Sequence, residues 1–400
     1  MRSYKVELDP TNKQRTVFLQ YAGTARWAYN YGLKRKIEAY NEHIKVPTAY
    51  DLQHELTGLK HYTEPWLSDV SKWVPQNALA NLDEAYKNFF RNCKSKSKNK
   101  GFPRFKSRKK GIGSFTLYNV DTITHGAVLL PRIGRIRLKE KGYIPYEEVV
   151  KSVTISERAG HWFIAVLTDG DPREHKHGDE NIGIDVGVNK LAMLSDGTEF
   201  NNPRAFKKAS KNLRILNKSV SRKQKGSNNR KKAVARLARK HYQVACIRRD
   251  EINKATTAII KRASLIGIET LTMVNMVRNR HISISLFDAS IAQFHRQIEY
   301  KAKWSGVTVV KADRFFPSSK MCSGCGTVKP ILKLSERTFK CEHCGLELDR
   351  DLNAAINLKN LAVSSTATAC CPGGSGQTSS LVKPLVGQEP NSSESVGIGA

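Results

Sequence analysis

Four cysteines, Cys322 and Cys325 in CSGC and Cys341 and Cys344 in CEHC, make two Cys-x-x-Cys knuckles separated by fifteen residues. Two thiolates three apart clasp one side of an ion, and a spacer of hairpin length returns the second pair. The spacing therefore predicts a closed, tetrahedral zinc ribbon with a structural role. Redox knuckles or plain reduced thiols are the competing reading, which the doubling of the knuckle at this distance disfavours. His343, inside the second knuckle, is a spare donor expected to face solvent, because four thiolates already fill the shell. A second group of residues is acidic. Asp185 lies in IGIDVGV and Glu269 in IGIETL, apolar strand-like runs in which an unpaired charge is expensive to bury. Asp351 opens the helical run DLNAAIN just after the ribbon. Three such acids on two strands and a helix match a two-metal phosphoryl-transfer site, where carboxylates hold two Mg2+ ions roughly 4 Å apart. Each acid taken singly has another reading, as a helix cap or a buried ion-pair partner. Asp349 competes for the third position; Asp351 is preferred for its helical register with Leu352, Asn353, Ala354 and Ala355.

The charge balance points to the kind of partner. Across 400 residues, 67 Lys and Arg face 36 Asp and Glu, a net charge of +31. Self-repulsion of that size disfavours a compact chain unless phosphates neutralise it, and nucleic acid is the usual source. Two segments concentrate the surplus. Residues 94–110, KSKSKNKGFPRFKSRKK, carry nine cations in seventeen positions and no acid, with Phe102 and Phe105 interleaved. Such rings offer stacking faces while Arg104, Lys106 and Arg108 contact phosphates; a solvated loop is the alternative. Residues 204–249 hold seventeen cations and no acid, so Lys207, Lys211 and Arg214 are expected on the wall of a channel facing phosphate. No apolar stretch approaches the roughly 18 residues that span a bilayer, and MRSYKVELDP lacks the apolar centre of a signal peptide. The expectation is a cytoplasmic protein with no membrane partner, in which Cys93, Cys246, Cys370 and Cys371 are free thiols.

The elements that must position these groups follow from periodicity. Residues 1–9 alternate as a strand, and Pro10 and Thr11 open a helix running to residue 43. Its Phe18, Leu19, Ala22, Trp27, Tyr31 and Leu33 recur at helical spacing and read as core. A second helical region covers 64–93. Residues 114–169 break into short alternating strands with Gly and Pro turns, the pattern of a small β-barrel. A polar linker at 170–180 leads to strands around turns at Asn189 and Asp196, then a basic helical pair over 203–262 and a strand at 264–271. An amphipathic helix over 286–304, a strand at 307–312, the ribbon and a helix from near Asp351 follow. Beyond about residue 361 the composition shifts to Ser, Thr, Gly and Pro with few large apolar residues, which predicts a disordered tail.

Taken together over residues 1–362, the segments GTARWAYNYGLKRK, GFPRFKSR, IGIDVGV, IGIETL, FFPSSKMCSGCG and CEHCGLELDRDLNAAINL resemble the TnpB (OrfB) proteins of insertion sequences. These are named transposases and are similar to the ancestors of type V CRISPR effector nucleases. The resemblance implies an α/β multidomain chain. A wedge β-barrel would occupy 1–178, with a helical recognition lobe inserted at about 10–112. A RuvC-like nuclease domain of the RNase H fold would occupy 179–316 and 349–362, interrupted by the four-cysteine zinc ribbon at 317–348, before a disordered tail at 363–400. It implies Asp185, Glu269 and Asp351 as catalytic triad and Mg2+ ligands. It further implies a guide RNA transcribed from the transposon end and a short transposon-adjacent DNA motif. The helix KWVPQNALANLDEAYKNFF would meet that motif through Lys72 and Gln76, with Pro75 between them expected to disturb the helix. The implied activity is Mg2+-dependent, RNA-guided cleavage of target DNA by a monomer in a ribonucleoprotein, nucleoid-associated in a prokaryotic cell. A DNA-binding accessory or regulator of transposition with little cleavage, and a zinc-ribbon RNA-binding protein, are the alternative functions; an intact triad argues against both.

Overall fold

Residues 1–95, 99–120, 123–145, 147–170, 177–271, 278, 280–333, 335–369 and 382–384 are described by a computed structural model. The chain divides into two compact units, Met1–Asp171 and Pro172–Ala400.

In the first unit, alternation buries Val6 and Leu8 of strand β1 (Arg2–Asp9). Helix α1 (Asn12–Asn41) then starts at a capping box, the Thr11 hydroxyl accepting the Gln14 N–H while the Gln14 side chain accepts the Thr11 N–H. Phe18, Ala22 and Leu33 on α1 are buried, and Trp27 and Tyr31 pack against the same core, whereas Leu19 is exposed. Helix α2 (Ala49–Tyr62), unforeseen from periodicity, begins at a second capping box, Thr48 with Asp51. Helix α3 (Trp73–Lys94) starts late enough that Pro75 falls in its first turn, where the missing N–H has no partner to lose. The proline therefore does not disturb the helix. Strands β2 (Ser114–Leu117), β3 (Ile123–Thr124), β4 (Ala127–Leu130), β5 (Gly134–Leu138), β6 (Val150–Arg158) and β7 (His161–Thr168) join β1 in one antiparallel sheet of order β2-β6-β7-β1-β5-β4-β3. The expected barrel is thus an open sheet in its hydrogen bonding: among the described residues no ladder links β2 to β3.

The second unit is built on strands β8 (Glu180–Asp185), β9 (Lys190–Leu194), β10 (Glu199–Asn201), β11 (Ala263–Ile268) and β12 (Thr308–Ala312). β8 runs antiparallel to β9 and parallel to β11, and β11 runs parallel to β12. Ile182, Ile184, Ile266 and Ile268 form the buried centre, with Phe294 against them. The basic helical pair is α4 (Ala205–Ser221) and α5 (Asn228–Arg262). The helix expected over 286–304 is two: α6 (Arg280–Ala289) and α7 (Ile291–Ser305). Ser290 between them is left-handed, with φ 55°, a conformation that stops the helical hydrogen-bond ladder. Strands β13 (Thr338–Lys340) and β14 (Glu347–Asp349) form the ribbon hairpin, and α8 (Arg350–Ala369) follows directly. This last helix continues seven residues into the stretch expected to be a disordered tail. Within the same stretch β15 (Val382–Pro384) pairs antiparallel with β12; the rest of 363–400, including Cys370 and Cys371, lies outside the described residues. Among the described residues no helix is long and apolar enough to cross a membrane.

Candidate functional site

Asp185 is the last residue of β8, and Glu269 the first after β11. In the parallel pair Gly183 lies opposite Gly267 and Ile184 opposite Ile268, so the two acids follow side by side. Side chains alternate along a strand. Ile184 and Ile268 turn into the core, and the acids share the other face with Gly183 and Gly267. That face carries α8. A Cβ on Gly183 would stand 1.8 Å from the Ala355 carbonyl oxygen, and one on Gly267 would stand 2.1 Å from that of Leu358. Glycine at both positions lets the helix backbone rest on the strand backbone, a requirement legible as Ile-Gly-Ile before each acid but missed by reasoning on charge alone. Asp351 lies one turn before Ala355, so the helix start reaches the strand ends that carry Asp185 and Glu269.

The electrostatics agree with that convergence. Burial, then the negative charges of Glu269 and Asp351, hold Asp185 well above the usual carboxylate range, against the opposing pull of Arg350. Burial pushes Glu269 up to about 7. Asp349 has another occupation: its carboxylate accepts the N–H groups of Asp351 (2.8 Å) and Leu352 (3.2 Å) and pairs with Lys190 at 3.4 Å. Although burial works against it, these partners hold Asp349 below the usual range. Asp349 is thus the helix cap and Asp351 the acid left to the cluster, with Arg350 3.5 Å away. Asp185 and Glu269, two buried carboxylates at neighbouring strand ends that are disfavoured as anions, suit a hard divalent cation such as Mg2+.

The thiols form a different kind of centre. Among the described residues, Cys322, Cys325, Cys341 and Cys344 are the one His, Cys, Asp or Glu group whose donor atoms all lie within 4.8 Å of one another; the three carboxylates are set wider. The Sγ atoms of Cys322 and Cys344, and of Cys325 and Cys341, stand 3.6 Å apart. That is close to the ~3.8 Å edge of a tetrahedron with Zn–S bonds of about 2.3 Å, and far beyond a disulfide. His343 is exposed, as expected. Two asparagines of α8 escaped notice as site residues. Asn353 and Asn357 are 0 % and 1 % exposed, a burial that costs about 1–3 kcal/mol for an amide left unpaired. The amide of Asn353 donates to the Met321 carbonyl (2.7 Å) and accepts the Ser323 N–H (2.9 Å). That of Asn357 donates to Ser318 and Met321 carbonyls (2.8 and 2.6 Å).

The cationic candidates divide. Lys207 and Arg214 line an open cleft of about 1100 Å3 together with Asn189, Lys218, Arg222 and His241, whereas Lys211 is exposed outside its lining. The cleft wall is fixed by Asp288 of α6, whose buried carboxylate accepts the Phe206 and Lys207 N–H groups (2.8 and 3.0 Å) and so caps α4 from outside. In the first unit Arg104 and Arg108 are exposed. Lys106 is engaged within the chain: its ammonium lies 3.8 Å from the Tyr29 ring centre, and desolvation there lowers its pKa. Its backbone bonds both ends of the Asn30 amide. Phe102, expected to stack on bases, packs edge-on against Tyr86 and Phe89. The claim of these tyrosines and Phe89 on the two side chains was invisible in a local reading. Lys72 is exposed, with its ammonium 5.2 Å from the Trp73 ring centre, and Gln76 is half-buried. Neither lines the nearby cavity of about 410 Å3, whose wall includes Arg26, Asn77 and Asn81.

Three family models match the chain. One described as "Probable transposase" covers residues 154–280, one described as "Cas12f1-like, TNB domain" covers 292–358, and one described as "Helix-turn-helix domain" covers 1–45. In that last window the structure holds β1 and the single helix α1. The chain is 33 % identical over 377 residues to "Putative RNA-guided DNA endonuclease" of Streptomyces pristinaespiralis, covering 93 % of this chain and 91 % of that protein. It is 32 % identical over 388 residues to "Putative RNA-guided DNA endonuclease InsQ" of Escherichia coli (strain K12), covering 92 % and 94 %. Among solved structures, "Cryo-EM structure of the Cas12f1-sgRNA-target DNA complex" matches with a TM-score of 0.54 over 88 % of this chain and 83 % of that one. At 17 % identity that likeness is one of fold.

Proposed function

Because the chain belongs to the TnpB (OrfB) family of insertion-sequence proteins related to Cas12f, we propose that it is an RNA-guided DNA endonuclease that cuts target DNA beside a transposon-adjacent motif. The observation that carries this reading is the joint perturbation of Asp185 by burial, Glu269 and Asp351, three acids from distant parts of the chain with no other common purpose. In this reading Asp185 and Glu269, from adjacent strand ends, and Asp351, from the positive end of α8, hold two Mg2+ ions. Such ions, when bound, supply an activated water and a counter-charge for the leaving oxygen. The chain's own part is to bring three carboxylates to one edge of the sheet and to keep Asp349 and Lys190 paired with each other. Glu269 is poised near neutrality when alone, so it ionises fully once a cation stands opposite. The face with Lys207, Lys211 and Arg214 contacts phosphates of the guide–target duplex, while Arg104 and Arg108 contact guide RNA. Pairing carries most of the sequence information, and the protein needs to read only backbone shape and a short DNA motif, through Lys72, just before α3, and Gln76 in its first turn.

Within this reading, residues 1–178 form the wedge and recognition part, 179–316 with 349–362 the RuvC-like nuclease domain of RNase H type, and 317–348 the zinc-bound ribbon. The protein works as a monomer with its RNA. The deciding experiment is to purify it with its RNA, sequence that RNA, and offer a matching DNA target flanked by randomised bases with Mg2+. Cleavage next to one enriched flanking motif is expected, and Asp185→Ala should abolish it. Uptake of RNA and DNA without cleavage by any divalent cation would leave a DNA-binding accessory of transposition instead.

A further inference from the structure

Helix α8 has two tasks. One face rests on β8 and β11 through the glycine pair, and its first turn carries Asp351. The flank with Asn353 and Asn357, one turn apart, faces the ribbon: among the described residues their side-chain amides make four hydrogen bonds of 2.6–2.9 Å, to Ser318, Met321 and Ser323. Met321 and Ser323 bracket Cys322, itself 1 % exposed. Asn353 therefore grips the peptide on both sides of one thiolate ligand. Leucine would fill the same space without fixing any register, whereas a buried amide is satisfied in one arrangement of the two segments. The backbone it reads has that arrangement only while the four-thiolate centre holds the knuckle together. Should the knuckle open, two buried amides lose their partners unless α8 shifts, and Asp351 lies only two residues from the first of them.

We infer that Asn353 and Asn357 are positioning residues that make the placement of Asp351 depend on the metal-loaded ribbon, so that the ribbon braces the acid cluster. The inference rests on the reading of Asp351 as a cation ligand. It is tested on the full protein with its copurified RNA, using Mn2+ as the probe. Bound Mn2+ is read by electron paramagnetic resonance as the excess over the Asp185→Ala complex, which cancels ions held by the RNA. Asn353→Ala/Asn357→Ala and, separately, Cys322→Ser/Cys325→Ser should each weaken that binding by about tenfold or more, the range seen when groups that orient a metal ligand are removed. The Mn2+ concentration needed for cleavage should rise in step, with guide-RNA affinity unchanged. Combining the two sets should add little, because both remove one brace. Asn353→Ala alone removes two of the four bonds and should give a smaller shift in the same direction; it carries the test if the double variant does not fold. Wild-type Mn2+ affinity in the asparagine variants, or losses that simply add, would overturn the brace while leaving the endonuclease reading intact. A wild-type complex that binds no Mn2+ beyond the Asp185→Ala blank would overturn both.

Discussion

The ribbon and the acid cluster are both built to gather like-charged ligands, yet they do so by opposite means. All four thiols lie within residues 322–344, with every Sγ within 4.8 Å of the others and two pairs at 3.6 Å, and close on themselves. The acids Asp185, Glu269 and Asp351 are more than eighty residues apart in sequence. They meet because β8 and β11 pair in parallel and α8 lies across a glycine pair. The soft, closed centre is made by local spacing and suits a structural ion; the hard, wider centre is made by topology and suits ions that must also admit a substrate. On the proposed reading, stability and reactivity are thereby separated along the chain, with α8 as the element common to both.

The largest effect should come from opening the closed centre. Cys322→Ser/Cys325→Ser is expected to release one equivalent of zinc, a loss on the scale of about 10–16 kcal/mol for small zinc modules, and to unfold residues 317–348 while the strands of the second unit persist. Elemental analysis and hydrogen exchange by peptide would show it; wild-type protein free of zinc would refute the assignment. Next come the acids. Asp185→Ala, Glu269→Gln and Asp351→Asn should each lower DNA cleavage by about 10³-fold or more with guide and target binding kept, and combining them should add little because they act as one unit. An active Asp351→Asn alongside an inactive Asp349→Asn would move the third role to the helix cap.

A third contrast is in pH. The native state keeps a proton on Glu269 up to about 7, whereas the unfolded carboxyl releases it near 4.5. The folded form therefore binds more protons in between, and metal-free protein should lose stability as pH rises from about 4.5 to about 7, by up to about 3 kcal/mol for this group. Thermal melts at pH 5 and 8 should show a smaller drop in Glu269→Gln, and Mg2+ should restore the wild type at pH 8. A wild type that instead gains stability across this window without metal would contradict the burial of an uncompensated acid. The smallest effect concerns the glycines. Gly183→Ala pushes a methyl into the backbone of α8 and should cost about 1–3 kcal/mol along with cleavage activity. Gly58→Ala on α2, with nothing within 4 Å of the new carbon, should raise stability by up to about 1 kcal/mol. Equal melting shifts for the two would mean that α8 does not rest on Gly183.

What could be read without the structure was whatever depends on near neighbours in the chain. Cysteine spacing, the Thr11 capping box, the alternation of β1 and the block of cations at 204–249 each express themselves within a few turns or one hairpin. The capping box at Thr48 and Asp51 was equally local and marks α2, although weak apolar periodicity hid it. Other features had no local signal. Ser290 breaks a helix within an unremarkable Ala-Ser-Ile run, and Lys106 and Phe102 look like nucleic-acid contacts until Tyr29, Tyr86 and Phe89 are seen to claim them.

The same division runs through the site. Residue types and intervals alone determined that the chain carries a four-thiol centre, three acids in apolar settings and a large cationic surplus, because donor chemistry and net charge do not depend on fold. Which acid caps α8 and which joins the cluster, why glycine precedes Asp185 and Glu269, and how Asn353 and Asn357 tie the ribbon to α8 were decided only in three dimensions. Those facts depend on which backbones come within touching distance; the repeated Ile-Gly-Ile marks the two strands locally, but which element rests on the glycines is set by pairing across more than eighty residues.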